Sequence, residues 1–221
     1  MSRTVPRAFY DRPTLDVARD LLGKVLVHRS RSSRSSGIIV EVEAYIGEGD
    51  PACHAAPGPT RRNQPLYGPP GHAYVYLNYG IHALFNVVTE AEGMPAAVLI
   101  RALDPVDGVD RMRRRRRSGP RREAGRGPTV HELCRGPGNL TRAMGITLRH
   151  NRVDLLADRM FVEDHDYRVD KVGWGPRIGI TRGTDYPWRV WIEGHPAVSR
   201  PETLRAPLYD PKGPSSSKMS R

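Results

Sequence analysis

Apolar residues near the N-terminus recur at the spacing of an α-helix. The repeating positions are Leu15, Ala18, Leu21 and Leu22. Side chains three or four residues apart share one helix face, so this run predicts a helix with one apolar side. Pro13 lies near the start of the run and Gly23 just beyond its end, where helices commonly begin and end.

Most later apolar runs are short and predict strands. They cover residues 24–28, 37–45, 73–77, 81–88 and 96–103, with further candidates at 171–181 and 189–193. The polar residues 29–36 predict a solvated loop, and the Gly- and Pro-rich residues 46–72 predict a long ordered loop. A second, short helix is predicted at residues 137–144, ended by Gly145.

The strand at residues 37–45 carries charge on one of its faces. Because side chains alternate along a strand, Ile38, Val40 and Val42 share one face, and Glu41, Glu43 and Tyr45 share the other. The charged face fits the wet side of an antiparallel sheet, which is what we expect for Glu41. It also fits the wall of a polar pocket, and the pattern alone does not choose between these two readings for Glu43.

Two of the strands predict a hairpin with an aromatic tip. The runs 73–77 and 81–88 flank Asn78-Tyr79-Gly80, a sequence that suits a tight turn. A tyrosine at a turn buries little in its own fold, so its ring is available to a partner such as a DNA base step. The alternative is an ordinary exposed turn residue.

The charge balance favours a polyanionic partner. The formal net charge is +11, and 31 of the 35 basic residues are Arg. Arg makes planar, bidentate contacts to phosphate and stacks on bases. A GC-rich genome would explain Arg in place of Lys, but not the net excess. Residues 111–126 hold nine arginines and one acidic residue, so we expect residues 111–130 to be a flexible insert that tracks DNA.

Several classes of protein are disfavoured. The two cysteines, Cys53 and Cys134, do not make a secreted disulfide framework and predict reduced thiols. No apolar leader opens the chain, and the longest apolar run is too short to span a bilayer. We therefore expect a cytoplasmic protein with no membrane partner. A zinc site of Cys53, His54, His72 and Cys134 lacks the usual ligand spacing, so we expect no metal and no cofactor.

Residues 41–86 combine a carboxylate, a histidine and several aromatic residues. Hydrolysis of an N-glycosidic bond needs a base that takes a proton from the attacking water, and Glu43 suits that role. Arg101, on a later strand, can pair with Glu43 and keep it ionised. Tyr45, His54 and Tyr76 suit a slot that holds an extruded base by stacking. Each of these residues taken alone also fits a purely structural role.

The same window resembles the alkyladenine (3-methyladenine) DNA glycosylase family. The motifs are Glu41-Val42-Glu43-Ala44-Tyr45, Asp50-Pro51-Ala52-Cys53-His54 and Tyr74-Val75-Tyr76-Leu77-Asn78-Tyr79-Gly80, and the likeness is also strong at residues 98–105, 133–146 and 177–180. The resemblance implies an α+β fold: a single domain on a curved antiparallel sheet, with flanking helices and a protruding β-hairpin. We expect this domain to cover residues 1–200 and residues 201–221 to be a disordered tail.

The resemblance also implies roles for individual residues. Glu43 is expected to activate the water, which Arg101 and the main-chain carbonyl of Ile178 help to hold. The backbone amide of His54 is expected to read the purine edge, and Asn86 to reject the 2-amino group of guanine. The expected pocket walls are Tyr45, His54 and Tyr76, the intercalating residue is Tyr79, and the further DNA contacts are Arg62, Ile81 and His82.

We therefore predict a monofunctional DNA glycosylase that excises alkylated or deaminated purines and starts base-excision repair. A lyase step needs an amine nucleophile, and none of the four lysines lies in the motif window. The expected partner is double-stranded DNA that contains damaged purines, and the expected state is a monomer. The alternatives are a noncatalytic minor-groove damage-binding protein on the same fold and a protein that acts on RNA.

Overall fold

One antiparallel sheet runs through the structure, a computed structural model that describes residues 3–30, 33–117 and 127–199. Its described strands are β1 (Arg3–Thr4), β2 (Val25–Ser30), β3 (Ser33–Ile46), β4 (Ala73–Asn78), β5 (His82–Val88), β6 (Ala96–Asp107), β7 (Met160–Asp164), β8 (Val172–Gly175) and β9 (Arg189–Ile192). The order across the sheet is β1-β7-β2-β3-β6-β5-β4, while β9 pairs with β3 and β8 pairs with β9.

Helices flank this sheet. Those in the described residues are α1 (Arg7–Tyr10), α2 (Thr14–Leu21), α3 (Val109–Arg117) and α4 (Pro137–Met144), with 3-10 turns at Gln64–Tyr67 and Leu148–His150. The apolar face of α2 is buried, as its spacing predicts. α4 has its predicted bounds, and Gly145 ends it in the left-handed conformation with φ 74°. The expected α+β fold on an antiparallel sheet is confirmed.

The hydrophobic core anchors the two strands that carry the charged site. Ile39 of β3 and Ile100 of β6 are fully buried, together with Leu140 and Met144 of α4. Burial of each such side chain contributes roughly 1.5–3 kcal/mol. The middle of β3 and β6 is therefore a rigid base for the side chains described below.

The β4–β5 hairpin carries apolar side chains into solvent. Tyr79 is 86% exposed and Ile81 is 71% exposed. Tyr79 adopts a left-handed φ of 48° and is followed by Gly80, also at positive φ, so the two residues turn the chain tightly. The protruding hairpin expected from the sequence is present, with Tyr79 at its tip.

Residues 29–36 do not form the solvated loop that their polarity predicts. β2 and β3 pair directly through this stretch, although residues 31–32 lie outside the described part of the chain. Arg34 donates to Asp107 at 3.1 Å and to Glu163 at 2.8 Å. Partners on β6 and β7 therefore satisfy a side chain that the sequence pattern assigns to water.

The arginine-rich run is helical where it is described. α3 includes residues 111–117, and Arg115 Nη1 donates to an α4 carbonyl at 2.8 Å. Arg116 Nη1 donates to the Leu133 carbonyl at 2.7 Å. Two arginines of this run therefore bind main-chain carbonyls of the domain, while the flexibility expected of residues 111–130 stays a prediction. Residues 118–126 lie outside the described part, as does the predicted tail.

The C-terminal strands are shorter than predicted. β8 ends at residue 175, and residues 176–188 form a loop rather than a continued strand. That loop carries Ile178 over β3. The sequence pattern does not predict β1 and α1, because each is too short to show a clear hydrophobic period, and it also misses β7. No helix in the described residues is long and apolar enough to span a bilayer.

Candidate active site

A cavity of about 380 Å³ opens where β3, the β4–β5 hairpin and β6 meet two loop segments, residues 52–54 and 178–180. The residues predicted from the sequence that line it are Tyr45, His54, Tyr76, Tyr79, Asn86, Arg101 and Ile178. These seven residues come from distant parts of the chain, and the fold brings them to one place.

An irregularity between β3 and β6 shapes the floor of this cavity. The register shifts between Ile39 and Glu41 and again between Glu41 and Val42. Such bulges redirect side chains from their regular alternation. The shift lies beside Arg101 of β6, which contacts both Glu41 and Glu43 of β3.

Glu43 lies directly beneath the cavity and makes three contacts with residues that line it. Its Oε1 accepts the Ile178 N–H at 2.6 Å and lies 3.2 Å from Arg101 Nη1. Its Oε2 accepts the Tyr45 hydroxyl at 2.9 Å. The predicted pairing of Glu43 with Arg101 is thus present. The Glu43 side chain is 0% exposed, so its own neighbours cover it.

Ile178 reaches Glu43 through its amide. The role expected from the family concerned the Ile178 carbonyl, which stays a prediction. Burial, followed by the charge of the Glu43 carboxylate, raises the pKa of Tyr45 well above its ordinary value. The Tyr45 hydroxyl therefore stays protonated at neutral pH and donates a hydrogen bond to Glu43.

Glu41 is a buried ion-pair partner, so the prediction that it faces solvent is wrong. Its carboxylate accepts Arg101 Nε at 3.1 Å and Arg189 Nε at 2.7 Å. Ser199 donates to it through both the backbone N–H at 2.7 Å and the hydroxyl at 2.8 Å. Burial tends to raise the pKa of Glu41, but the two arginines and Ser199 outweigh burial and lower it. Glu41 is therefore ionised at neutral pH.

Aromatic rings form one wall of the cavity. The His54 and Tyr76 ring centroids lie 4.3 Å apart in an edge-on arrangement, and Tyr74 stacks beside Tyr76 at 5.4 Å. His54 Nδ1 forms a 2.8 Å hydrogen bond with the Tyr74 hydroxyl. Burial, with a smaller effect of Arg62, lowers the pKa of His54, so its ring is neutral at neutral pH. The wall is therefore aromatic and uncharged, which suits contact with a base.

Asn86 supplies a polar group on the neighbouring strand. Its Nδ2 donates to the Tyr74 carbonyl at 3.0 Å, and the residue is 4% exposed. This bond fixes the side-chain amide at the cavity wall. An amide held in this way suits recognition of the edge of a flat ring.

The remaining predicted residues lie on or against the β4–β5 hairpin. Arg62 Nη2 donates to the Leu77 carbonyl of β4 at 3.4 Å, and its guanidinium lies 5.9 Å from the Tyr76 ring centroid. Ile81 and His82 follow the hairpin tip and line a shallow groove beside α4. These three residues are exposed, as is Tyr79 at the hairpin tip.

Comparison with known proteins agrees with this geometry. Residues 8–196 match the family model described as Methylpurine-DNA glycosylase. The chain belongs to this family. A Methanocella arvoryzae protein named "Putative 3-methyladenine DNA glycosylase" is 48% identical over 89% of this chain and 96% of its own length. Proteins of the same name from Chlorobaculum tepidum and Bacillus cereus (strain Q1) are 43% and 45% identical, over 95% and 88% of this chain and 97% and 98% of their own. The resemblance recognised from the sequence motifs is confirmed.

The structure adds a clamp that the sequence reasoning did not identify. Arg177 makes a two-point ion pair with Asp50, at 2.5 and 2.8 Å, and both side chains are 0% exposed. The Arg177 guanidinium also lies 4.6 Å from the Tyr45 ring centroid and 5.0 Å from that of Trp188. Because Arg177 precedes Ile178, the clamp holds the Ile178 amide over Glu43 and fixes the Tyr45 ring.

Sequence reasoning also missed Tyr74, Arg189 and Ser199. Strand alternation separates Tyr74 from Tyr76 by two positions and so places both rings on one face, a signal that was available. Arg189 and Ser199 carry no such signal, since each contacts Glu41 across a large separation in sequence. No group of three or more His, Cys, Asp or Glu residues in the described chain is arranged to hold a metal ion.

Proposed function

We propose that the protein is a monofunctional DNA glycosylase that extrudes a damaged purine from duplex DNA and hydrolyses its N-glycosidic bond. The single observation that carries this proposal is the position of Glu43. A buried carboxylate paired with Arg101 lies beneath an aromatic cavity, and Tyr79 is exposed at the mouth of that cavity. A cavity of this kind suits one flat ring, and the carboxylate suits the activation of water.

Tyr79 acts first in this scheme. Its exposed ring enters the base stack and occupies the space that the extruded nucleotide leaves. Damaged purines that pair or stack poorly are extruded at lower cost, which contributes to selection. The extruded base then stacks on His54, Tyr76 and Tyr45, and Asn86 contacts its edge.

Hydrolysis requires a rearrangement at Glu43. Since the carboxylate is enclosed by its partners, water reaches Oε2 only when it replaces the Tyr45 hydroxyl hydrogen bond. Glu43 then takes a proton from this water as the water oxygen bonds to C1′. The electron pair of the breaking C1′–N9 bond leaves with the purine. A cationic alkylated purine departs as a neutral base, whereas a neutral lesion such as hypoxanthine must also gain a proton.

A lyase step is not part of the proposal. A Schiff base needs an amine close to C1′. Lys24, just before β2, forms an ion pair with Asp164 of β7 at 2.6 Å, and among the described residues no lysine lines the cavity. We therefore propose that water is the nucleophile and an abasic site is the product.

The proposed partner is double-stranded DNA that contains alkylated or deaminated purines, bound by a monomer in the cytoplasm. The net charge of +11 and the exposed hairpin support a duplex partner. The family membership and the names of the similar proteins also support it.

The complete burial of Glu43 favours a second candidate, a damage-binding protein that extrudes the base without cleaving it. A carboxylate closed off from the cavity is not positioned to activate water unless Tyr45 moves. The two candidates differ in whether base is released, and not in how well lesion DNA is bound.

The experiment that separates them measures base release by the wild-type protein. Duplexes carrying hypoxanthine, ethenoadenine or an alkylated purine are incubated with excess enzyme and then treated with alkali, which cleaves at abasic sites. We expect cleavage after alkali only, no borohydride-trapped adduct, and no reaction with undamaged duplex. Tight binding without base release would establish the damage-binding candidate, and stronger competition by structured RNA than by duplex DNA would point to an RNA substrate.

A further inference from the structure

The Arg101 guanidinium uses all three of its nitrogens on named partners. Nε donates to Glu41 at 3.1 Å, Nη1 lies 3.2 Å from Glu43, and Nη2 donates to the Ser199 hydroxyl at 3.4 Å. A planar guanidinium held at two corners has its third direction fixed. Glu41 and Ser199 therefore determine where Arg101 Nη1 points, and it points at Glu43.

Ser199 holds Glu41 as well as Arg101. Its backbone N–H and its hydroxyl donate to different oxygens of the Glu41 carboxylate, while Arg189 of β9 donates to the same oxygen as the hydroxyl. The carboxylate is thus held from β6, from β9 and from the chain that follows β9. Loss of the Ser199 hydroxyl removes one contact to Glu41 and one to Arg101.

The buried acidic and basic side chains around Arg101 have equal and opposite formal charges. Glu41, Glu43, Arg101 and Arg189 contribute two negative and two positive charges, and each side chain is at most 7% exposed. Unpaired charge at such a depth is strongly unfavourable. If Glu41 is neutralised, Glu43 is the one anion of the set that remains for Arg101 and Arg189. The ion pair that orients Arg101 through its Nε is then lost.

Ser199 comes from a segment that does not line the cavity. We call residues 195–199 the C-terminal strap. His195 Nε2 lies 3.6 Å from Asp104 Oδ2, Arg135 donates to the Pro196 carbonyl at 2.5 Å, and Ala197 is fully buried. The strap is therefore docked on the domain at several points before it reaches Glu41. Ser199 therefore reaches the site through its contacts with Glu41 and Arg101.

We propose that Glu41 and Ser199 are positioning residues, which orient Arg101 toward Glu43 and so make the C-terminal strap part of the active-site architecture. This inference rests on the proposed glycosylase function. Neither residue is among those that line the cavity. Their loss is expected to slow base release more than it weakens lesion binding.

The first test compares Ser199→Ala, Ser199→Thr and Ser36→Ala. Ser36 is a matched control, because its buried hydroxyl also donates to a carboxylate, Asp107 Oδ2 at 2.7 Å, on the distant part of β3 and β6. Three quantities are measured for each variant of the full-length protein: the single-turnover rate of base release at saturating enzyme, the Kd for the lesion duplex, and the Tm.

We expect Ser199→Ala to lower the single-turnover rate about 10-fold, the effect of losing hydrogen bonds to charged groups, with little change in Kd. Ser199→Thr keeps the hydroxyl and is expected to restore most of the rate. Ser36→Ala is expected to leave the rate unchanged even if it lowers Tm. A wild-type rate for Ser199→Ala, or equal loss of rate in the two alanine variants, would overturn the inference.

The second test replaces Glu41 by Gln, with Glu163→Gln as its control. Glu163 of β7 is a nearly buried carboxylate paired with Arg34, near the start of β3. We expect Glu41→Gln to lose more rate than Ser199→Ala, and Glu163→Gln to keep the wild-type rate. If Glu41→Gln does not fold, the Ser199 series still decides, since it removes one hydroxyl from the strap. Absence of base release by the wild type on every lesion refutes the glycosylase proposal and this inference together, whereas an active wild type with unaffected Ser199→Ala refutes this inference alone.

Discussion

Tyr79 has the largest exposed fraction among the large hydrophobic residues of the described chain. An exposed tyrosine ring contributes little to the stability of its own fold. The left-handed φ of 48° at Tyr79 is also unusual for a residue with a side chain. The tight hairpin turn accounts for the φ, and the exposure is explained if the ring binds a partner. At this scale, the proposed function makes a prediction that separates lesion retention from general DNA affinity.

We expect Tyr79→Asn to weaken binding to a lesion duplex by roughly 5- to 150-fold, since base–aromatic stacking is worth about 1–3 kcal/mol. Asn is chosen because it tolerates positive φ. Binding to an undamaged duplex of the same length should change much less. Fluorescence anisotropy on the two duplexes measures both values, with Tyr79→Phe as the control that keeps the ring. Equal losses on both duplexes would contradict the wedge role.

The two glutamates of β3 show how much of a residue's role can be predicted from the sequence. Glu41 and Glu43 lie two positions apart on one strand face, so local pattern treats them alike, and only the family motif distinguished Glu43. The structure buries both. The burial of Glu41 was not predictable, because Arg189 and Ser199 approach it from residues roughly 150 positions away in sequence.

At the scale of elements, loops rather than strands close the site. The turn that contains Asp50 and the loop that contains Arg177 are joined by the buried two-point ion pair. Neither loop has a hydrophobic period, so their contact could not be predicted from the sequence. The helices α2 and α4 could be predicted, because each has a clear apolar face and a glycine at or just beyond its end. The loop prediction for residues 29–36 was wrong for a related reason. The partners of this polar stretch lie on β6 and β7, which are distant in sequence.

The clamp makes a prediction about stability. Asp50→Asn leaves the Arg177 charge buried without its partner, which costs about 3–5 kcal/mol and lowers Tm by roughly 6–20 °C for a chain of this size. Calorimetry or circular dichroism measures the change. The control is Asp16→Asn, which removes an exposed partner of Arg19 at 3.9 Å and should have almost no effect. A Tm for Asp50→Asn that matches this control would show that the clamp does not stabilise the loops.

A second element-scale prediction concerns acid. His28 of β2 and His150 meet edge-on with ring centroids 4.7 Å apart. Burial, with nearby cationic or histidine side chains adding to it, lowers the pKa of both below the ordinary value of 6.5. The unfolded chain therefore binds protons that the folded chain does not, so stability is complete above pH 6.5 and falls as pH decreases below it.

The expected result is a Tm that declines from pH 6.5 toward pH 5, before the carboxylates titrate. His28→Gln removes one ring of this pair and should make the decline shallower. A Tm scan of both proteins across the range checks it. A decline of equal steepness in the variant would exclude the histidine pair as its cause.

At the scale of the whole molecule, the charge is the dominant feature. The net charge of +11 predicts binding to DNA that weakens steeply with salt. If about five phosphates are neutralised, the binding constant should fall roughly 500-fold between about 50 and 200 mM salt. Titration of a lesion duplex at several salt concentrations measures the slope, and a flat response would argue against DNA as the partner.

The central claim is that Glu43 activates water, and one comparison tests it most directly. Glu43→Gln is measured beside Glu48→Gln, because each glutamate accepts a tyrosine hydroxyl, from Tyr45 at 2.9 Å and from Tyr67 at 2.8 Å, but only Glu43 lies beneath the cavity. We expect Glu43→Gln to bind lesion duplex while its single-turnover base release falls by about 100-fold or more, and Glu48→Gln to behave as wild type. Base release by Glu43→Gln at the wild-type rate would contradict the account.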